Sequence, residues 1–179
     1  MKNMLFRGRE REGFSLVEMI VTIALMAILI GLASLSISLL SASDTKALAS
    51  HINDSLSELK SVNESNDGIY FLHIYKTSDG FFAKIDENGH YGVPTNNDGA
   101  TRLGAANLKV EAVFATGASS EITGTANILL GVKKKDGSFW NPDGATAGHP
   151  VVKKFEISDG GDTEHTVTIA KDTGLHYLD

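Results

Sequence analysis

Between Met19 and Ser43 an almost wholly apolar run carries no charge, and beyond Asp44 the apolar positions thin to a single stripe. Leu48, Ile52, Leu56, Leu59 and Val62 follow one another at steps of four, four, three and three, the period of a helix with one buried face. Ser, Asn, Asp, Glu and Lys occupy the other faces, and the pattern fades in Asn63-Glu64-Ser65-Asn66-Asp67-Gly68. One helix from about Phe14 to about Ser65 is therefore predicted, roughly 75 Å long at 1.5 Å per residue. Its first half is apolar all round and long enough to cross a bilayer. Its second half is amphipathic, and the stripe is predicted to cover one face of a sheet.

After Gly68 the period changes from 3.6 to 2. Ile69 to Tyr75 and Phe81 to Ile85 read as strands around Thr77-Ser78-Asp79-Gly80, a hairpin signal. Glu87-Asn88-Gly89 is a second turn before His90-Tyr91-Gly92-Val93, and Pro94 to Asn107, rich in Asn, Asp, Gly and Ala, reads as a loop. Leu108, Val110, Ala112 and Phe114 alternate with Lys109, Glu111 and Val113 as a half-buried strand. Further strands are predicted near Asn127–Val132, Val151–Ile157, Thr166–Ala170 and Leu175–Leu178, with Lys171-Asp172-Thr173-Gly174 as the last turn. Short strands punctuated by turns, with no helical pattern between them, predict antiparallel pairing. The expected class is α+β: a long N-terminal helix on an antiparallel sheet.

Charge changes the picture at the N-terminus. Glu18 stands alone inside the apolar run, where a carboxylate costs about 2.5–3.5 kcal/mol on insertion scales and more by simulation. Such a cost points to a partner for the charge. Lys2, Arg7, Arg9 and Arg11 precede the run, diluted by Glu10 and Glu12. Basic residues beside a span stay cytoplasmic and acidic ones count for little, so everything beyond about residue 40 is expected outside.

The stretch Arg11-Glu12-Gly13-Phe14-Ser15-Leu16-Val17-Glu18, with its basic leader and the apolar helix that follows, resembles the processing site of type IV prepilins and type II secretion pseudopilins. The resemblance covers about the first 45 residues. It implies the pilin fold, cleavage by a membrane-embedded prepilin peptidase between Gly13 and Phe14, and N-methylation of Phe14. It further implies pairing of Glu18, the fifth residue of the mature chain, with the N-terminal amine of an adjacent subunit. Physical chemistry fits these roles. A free amine at Phe14 and a carboxylate in low dielectric attract strongly, and glycine lets a protease approach the backbone closely. Pilins often carry a proline within the apolar run that lets the helix melt on assembly. This chain has none there, and Gly31, Ser34, Ser36 and Ser38 either weaken the same region or let helices pack closely. The amphipathic helix followed at once by a hairpin, and the final strand–turn–strand ending in Tyr177, also resemble the minor pilins that cap filaments.

Other readings of the segment fare less well. A secretory signal peptide cut at Ala47-Leu48-Ala49 or Ser41-Ala42-Ser43 has an apolar region of only about 7–15 residues and leaves Glu18 unexplained. A plain single-pass anchor for an external domain would have Glu18 merely lie near the interface. A lipoprotein needs a cysteine, and the chain has none.

The 179 residues carry a formal net charge of −6, and removing a leader of 13 residues leaves 166 at −8. An acidic exterior argues against general affinity for nucleic acid. About 135 residues follow the apolar run, enough for one domain with a core of its own. Without cysteine that domain is held by packing and assembly, not disulfides.

Elsewhere no constellation of catalytic groups emerges, and no cofactor is implied. His51, His73, His90, His149, His165 and His176 show no metal-ligand spacing and read as exposed or edge-strand residues. Asn96-Asn97-Asp98, Asn141-Pro142-Asp143 and Asp159-Gly160-Gly161-Asp162 are oxygen-rich but lack the spacing of a calcium loop, and read as turns. Lys133-Lys134-Lys135 and Lys153-Lys154, with Phe139-Trp140 near the first, could hold phosphates and stack a base. Solvated lysines with Trp140 as a core anchor or subunit contact is the favoured reading.

The expected organisation is a leader over 1–13, a transmembrane and filament-core helix over 14–43, its amphipathic continuation over 44–65 and an extracytoplasmic β-rich domain over 66–179. The expected role is structural. The subunit sits in the cytoplasmic membrane, N-terminus inside, until prepilin peptidase, other pilin subunits and an assembly platform draw it into an extracellular filament. The rival is a membrane-anchored binding or sensory domain that never polymerises.

Overall fold

The computed structural model describes residues 15–89, 92–94, 97–142, 151–161, 163–170 and 173–179, without the side chains of 32–42. The architecture is α+β. One helix, α1 (Leu16–Ser65), precedes ten strands: β1 (Phe71–Thr77), β2 (Gly80–Asp86), β3 (Thr101–Gly104), β4 (Lys109–Phe114), β5 (Ser119–Glu121), β6 (Ile128–Val132), β7 (Phe139–Trp140), β8 (Val152–Ser158), β9 (His165–Ile169) and β10 (His176–Leu178). Among the described residues every strand pairing is antiparallel, as the short punctuated strands predict. The strands form two five-stranded sheets, not one. The first runs β3-β2-β1-β6-β7 and the second β10-β9-β8-β4-β5.

The chain divides into two compact units, Met1–Leu39 and Leu40–Asp179. In the first, the described side chains from Leu16 to Gly31 are all exposed. That stretch is about 24 Å long at 1.5 Å per residue, against a hydrocarbon thickness of about 30 Å. Among the described residues no helix is long and apolar enough to cross a membrane.

In the second unit the predicted stripe is the buried face of α1 from Leu48 to Leu59, whereas its last member, Val62, is only half-buried. Leu48, Ile52, Leu56 and Leu59 are fully buried, and they share one core with Leu72, Ile74 and Phe81 of the first sheet and Val110, Phe155 and Val167 of the second. The approach is close at Gly104, where an added Cβ would lie 3.1 Å from Leu48 Cδ1. Polar contacts fix the helix at both sheets. Leu103 O lies 2.7 Å from His51 Nδ1, Lys60 Nζ donates to Gly174 O at 3.1 Å, and Thr45 Oγ1 donates to the Glu164 carboxylate.

The end of α1 is held from outside the helix. Its last turn contains no basic residue, and Lys134 supplies one from the β6–β7 turn, donating to Asn66 O at 2.7 Å and Asp67 O at 2.8 Å. Asn63, 1 % exposed, then binds the chain as it turns toward β1. Its Oδ1 accepts from Tyr70 N at 2.9 Å, while Nδ2 donates to Tyr70 O and Leu59 O, each at 3.0 Å. Asn63→Ala strands both Tyr70 backbone groups, and an unsatisfied buried polar group costs about 1–3 kcal/mol. We expect a loss of about 2–3 kcal/mol, measured by denaturant unfolding of the full chain. A loss below about 0.5 kcal/mol would show that water replaces the amide.

Three strands depart from the sequence expectation. Pro94 to Asn107 is not all loop: Thr101–Gly104 adds to β2 as the edge strand β3, across a register shift at Phe81/Phe82. β5 and β7, three and two residues long, lie in segments not read as strands. Each exists because a longer neighbour offers an open edge, which local periodicity does not report. The segment read as His90 to Val93 lies partly outside the described residues, since 90 and 91 do.

Candidate processing and assembly site

Of the six motif residues, Gly13 and Phe14 lie outside the described residues, and Ser15, Leu16, Val17 and Glu18 open α1. Ser15 is its N-cap. The Ser15 hydroxyl accepts a hydrogen bond from Glu18 N–H at 3.2 Å, and the Ser15 carbonyl accepts from Met19 N–H at 3.1 Å. Ser15-Leu16-Val17-Glu18 is therefore a capping-box sequence, S-x-x-E, with Glu18 at the third helical position. The spacing was legible in the sequence as a helix start, a reading distinct from the buried-charge argument for Glu18. A carboxylate in the first turn also faces the positive end of the helix dipole.

Among the described residues nothing covers the helix around Glu18. Leu16, Val17, Met19, Ile20, Val21, Ile23, Leu25, Met26, Ile28, Leu29 and Ile30 are 48–76 % exposed. They point in every direction about the axis, so this is no one-sided amphipathic face. Thr22 hides its hydroxyl within the run by donating to Met19 O at 2.9 Å.

The remaining candidates resolve into structural roles. Lys134 is the C-cap of α1, which takes the middle lysine out of a phosphate-binding cluster. Lys154 pairs with the Glu156 carboxylate. Phe139 is buried in the core, whereas Trp140 is half-buried, edge-on to Phe71 with ring centroids 6.1 Å apart. The β6–β7 turn is held by Asp136, whose carboxylate accepts from Ser138 N–H at 3.0 Å. Bonding to Ser138 keeps its pKa below the ordinary aspartate value. Asn96, Asp143 and Asp162 lie outside the described residues, and among the described residues no group of metal-ligating side chains forms.

His73 corrects the expectation of exposed or edge-strand histidines. It sits in β1, at the centre of the first sheet, and is 1 % exposed. The chain beyond β2 covers that face: Asn88 O lies 2.7 Å from His73 Nε2, Tyr75 OH donates to Asn97 Oδ1 at 3.0 Å, and Asn127 Nδ2 donates to Gly92 O at 3.0 Å. His90 and His149 lie outside the described residues. His51 and His176 bridge α1 to the sheets, His51 Nδ1 lying 2.7 Å from Leu103 O and His176 Nε2 2.9 Å from Ser57 Oγ. That hydroxyl–imidazole contact has a backbone carbonyl, Gly174 O at 3.2 Å, where a catalytic serine–histidine pair would have an orienting carboxylate.

Residues 8–34 match the family described as the prokaryotic N-terminal methylation motif. The chain carries a prepilin-type N-terminus. The match supports membership of the type IV pilin and pseudopilin family, and it implies a pilin-like protein processed by prepilin peptidase. That family is structural, not enzymatic. No curated protein and no solved structure matches the chain.

Proposed function

We propose that this prepilin-type protein is a subunit of a type IV pilus-like filament, cut between Gly13 and Phe14, N-methylated at Phe14 and drawn from the cytoplasmic membrane into a bundle of like helices. The observation that carries this reading is the all-round exposure of eleven large apolar side chains from Leu16 to Ile30, broken only by Glu18 and Thr22 among the polar residues of that stretch. At about 1.5–3 kcal/mol per fully buried side chain, covering surfaces exposed to this extent is worth roughly 10–20 kcal/mol. Lipid meets that need first, and neighbouring helices meet it afterwards. In both settings Glu18 requires a counter-charge, and the α-amine of a trimmed neighbour supplies one without adding a basic side chain to the core.

On this reading the charge-free run from Met19 to Ser43 is the span, and Lys2, Arg7, Arg9 and Arg11 hold the N-terminus in the cytoplasm. The unit from Leu40 to Asp179 is then displayed outside. A minor, filament-capping role follows from the sequence resemblance alone.

The deciding measurement is the mass of the mature N-terminal peptide isolated from cells. It is expected to begin at Phe14 and to carry one methyl group. A protein beginning at Met1, or downstream of Ala42, would sink the reading. Recovery with sheared surface filaments separates a polymerising subunit from an anchored domain that stays with the membrane.

A further inference from the structure

We propose that two patches of the Leu40–Asp179 unit bind one another between copies of this chain. A groove between Ile69 and Trp140 on one copy takes the outer face of β10 on the next. The inference rests on the filament reading above and deepens it, by naming a surface through which subunits meet. Among the described residues, three large apolar side chains of that unit are exposed: Ile69 at 52 %, Leu175 at 64 % and Tyr177 at 52 %. The first lines the groove, and the other two stand on and beside β10.

A glycine makes the groove. Gly131 lies between Phe71 of β1 and Trp140 of β7, and a Cβ added to it would fall 2.7 Å from Trp140 Nε1. The indole thus leans over the glycine, beside a hollow of about 430 Å³ lined by Ile69, Val132, Lys133, Lys134 and Trp140. Its walls are apolar and its rim is cationic. Lys134 holds the end of α1, whereas Lys133 is exposed, with Asp136 as the acid near it. Along β10, the half-buried His176 and Leu178 alternate with exposed Leu175, Tyr177 and Asp179, so the outer row reads apolar, aromatic, acidic. Tyr177 and Leu175 meet apolar walls in the groove, and the Asp179 carboxylate meets the Lys133 ammonium. With the mature chain at −8, a cationic rim is an exception on its surface, and an acidic, apolar strand face that suits it belongs to the same chain. A groove that admits a few side chains is small beside the roughly 800 Å² per partner of a stable complex. It therefore acts between copies already held side by side, where the effective concentration is about millimolar.

The chain has no cysteine, so an engineered pair reports contact between copies with no native thiol to compete. Cells express two full-length versions together, one with Ile69→Cys and one with Tyr177→Cys, and membranes and sheared filaments are treated with a mild oxidant. Cysteine is itself small and apolar, so the groove keeps Trp140 and Lys133 while the strand keeps Leu175 and Asp179. A disulfide forms only when the two Cα atoms come within about 7 Å. This pair is expected to give at least about fivefold more crosslinked dimer than Ile69→Cys with Ser119→Cys, an exposed control on β5 at the other edge of the second sheet. Lys133→Glu in the Ile69→Cys copy sets like charges together and should lower the yield at least about fivefold. Asp179→Lys in the Tyr177→Cys copy should then restore it to within about twofold. A yield no higher than the control would overturn the proposal. So would indifference to Lys133→Glu, or failure of Asp179→Lys to restore the dimer. Dimers in the membranes of cells that shed no filaments would sink the filament reading and leave this contact standing; filaments without the dimer would do the reverse.

Discussion

Glu18→Ala is expected to leave leader removal at Gly13 intact and to lower the share of subunits recovered in filaments at least tenfold. Two effects act in the same direction. Removing the carboxylate lowers the cost of keeping the helix in lipid by about 2.5–3.5 kcal/mol, so the membrane-resident state gains. On the proposed pairing it also leaves a neighbour's α-amine without a counter-charge inside the bundle, and breaking one side of a buried pair typically costs about 3–5 kcal/mol. The capping geometry supplies a second variant that isolates the charge. A capping box accepts glutamine at its third position as readily as glutamate, whereas an ion pair requires the charge. Glu18→Gln should therefore keep the helix start and still fail to assemble. Filaments of wild-type abundance with Glu18→Gln would mean that Glu18 caps its own helix and pairs with nothing. Immunoblots of sheared filaments against membrane fractions give both numbers.

The parts of this molecule that were readable from its sequence are those with a strong local period or a sharp motif. Leu48, Ile52, Leu56 and Leu59 fall at helical spacing because one side of α1 meets a core, and all four are fully buried. β4 alternates because only one of its faces is covered. β1 was legible as a strand, but the burial of both its faces was not, since Phe71 to Tyr75 is a near-continuous run of large side chains with a histidine inside it. The division into two sheets was hidden for a different reason. β1 pairs with β6 and β4 with β8, across more than 35 residues in each case, and periodicity carries no information about such pairings. The candidate site divides in the same way. Glu18 stands out as a charge in an apolar run, whereas the cap at Ser15 is carried only by the S-x-x-E spacing, a weaker signal overlapping the same residues.

Gly174→Ala is expected to be the most damaging single-atom-scale change in the Leu40–Asp179 unit. Gly174 adopts φ +63°, where a side chain costs about 1–2 kcal/mol. A Cβ there would also fall 1.8 Å from Gly137 O and 2.8 Å from Gly137 C, a collision with backbone and not with a movable side chain. Relief means separating the β9–β10 turn from the β6–β7 turn. Those two turns meet where Lys60 Nζ donates to Gly174 O and where Lys134 caps α1, so opening the contact loosens the helix as well as the last hairpin. Strain of this kind adds about 1–3 kcal/mol to the backbone term, for a total of about 3 kcal/mol or more. For a unit of this size that corresponds to a fall of roughly 10 °C in the unfolding midpoint. Gly124→Ala, where no atom lies within 4 Å of an added Cβ and no positive φ is required, is the matched control and should move the midpoint by less than about 2 °C. Equal midpoints for the two variants would show that the turns part without cost. The C-terminal hairpin would then contribute nothing to holding α1 on the sheets.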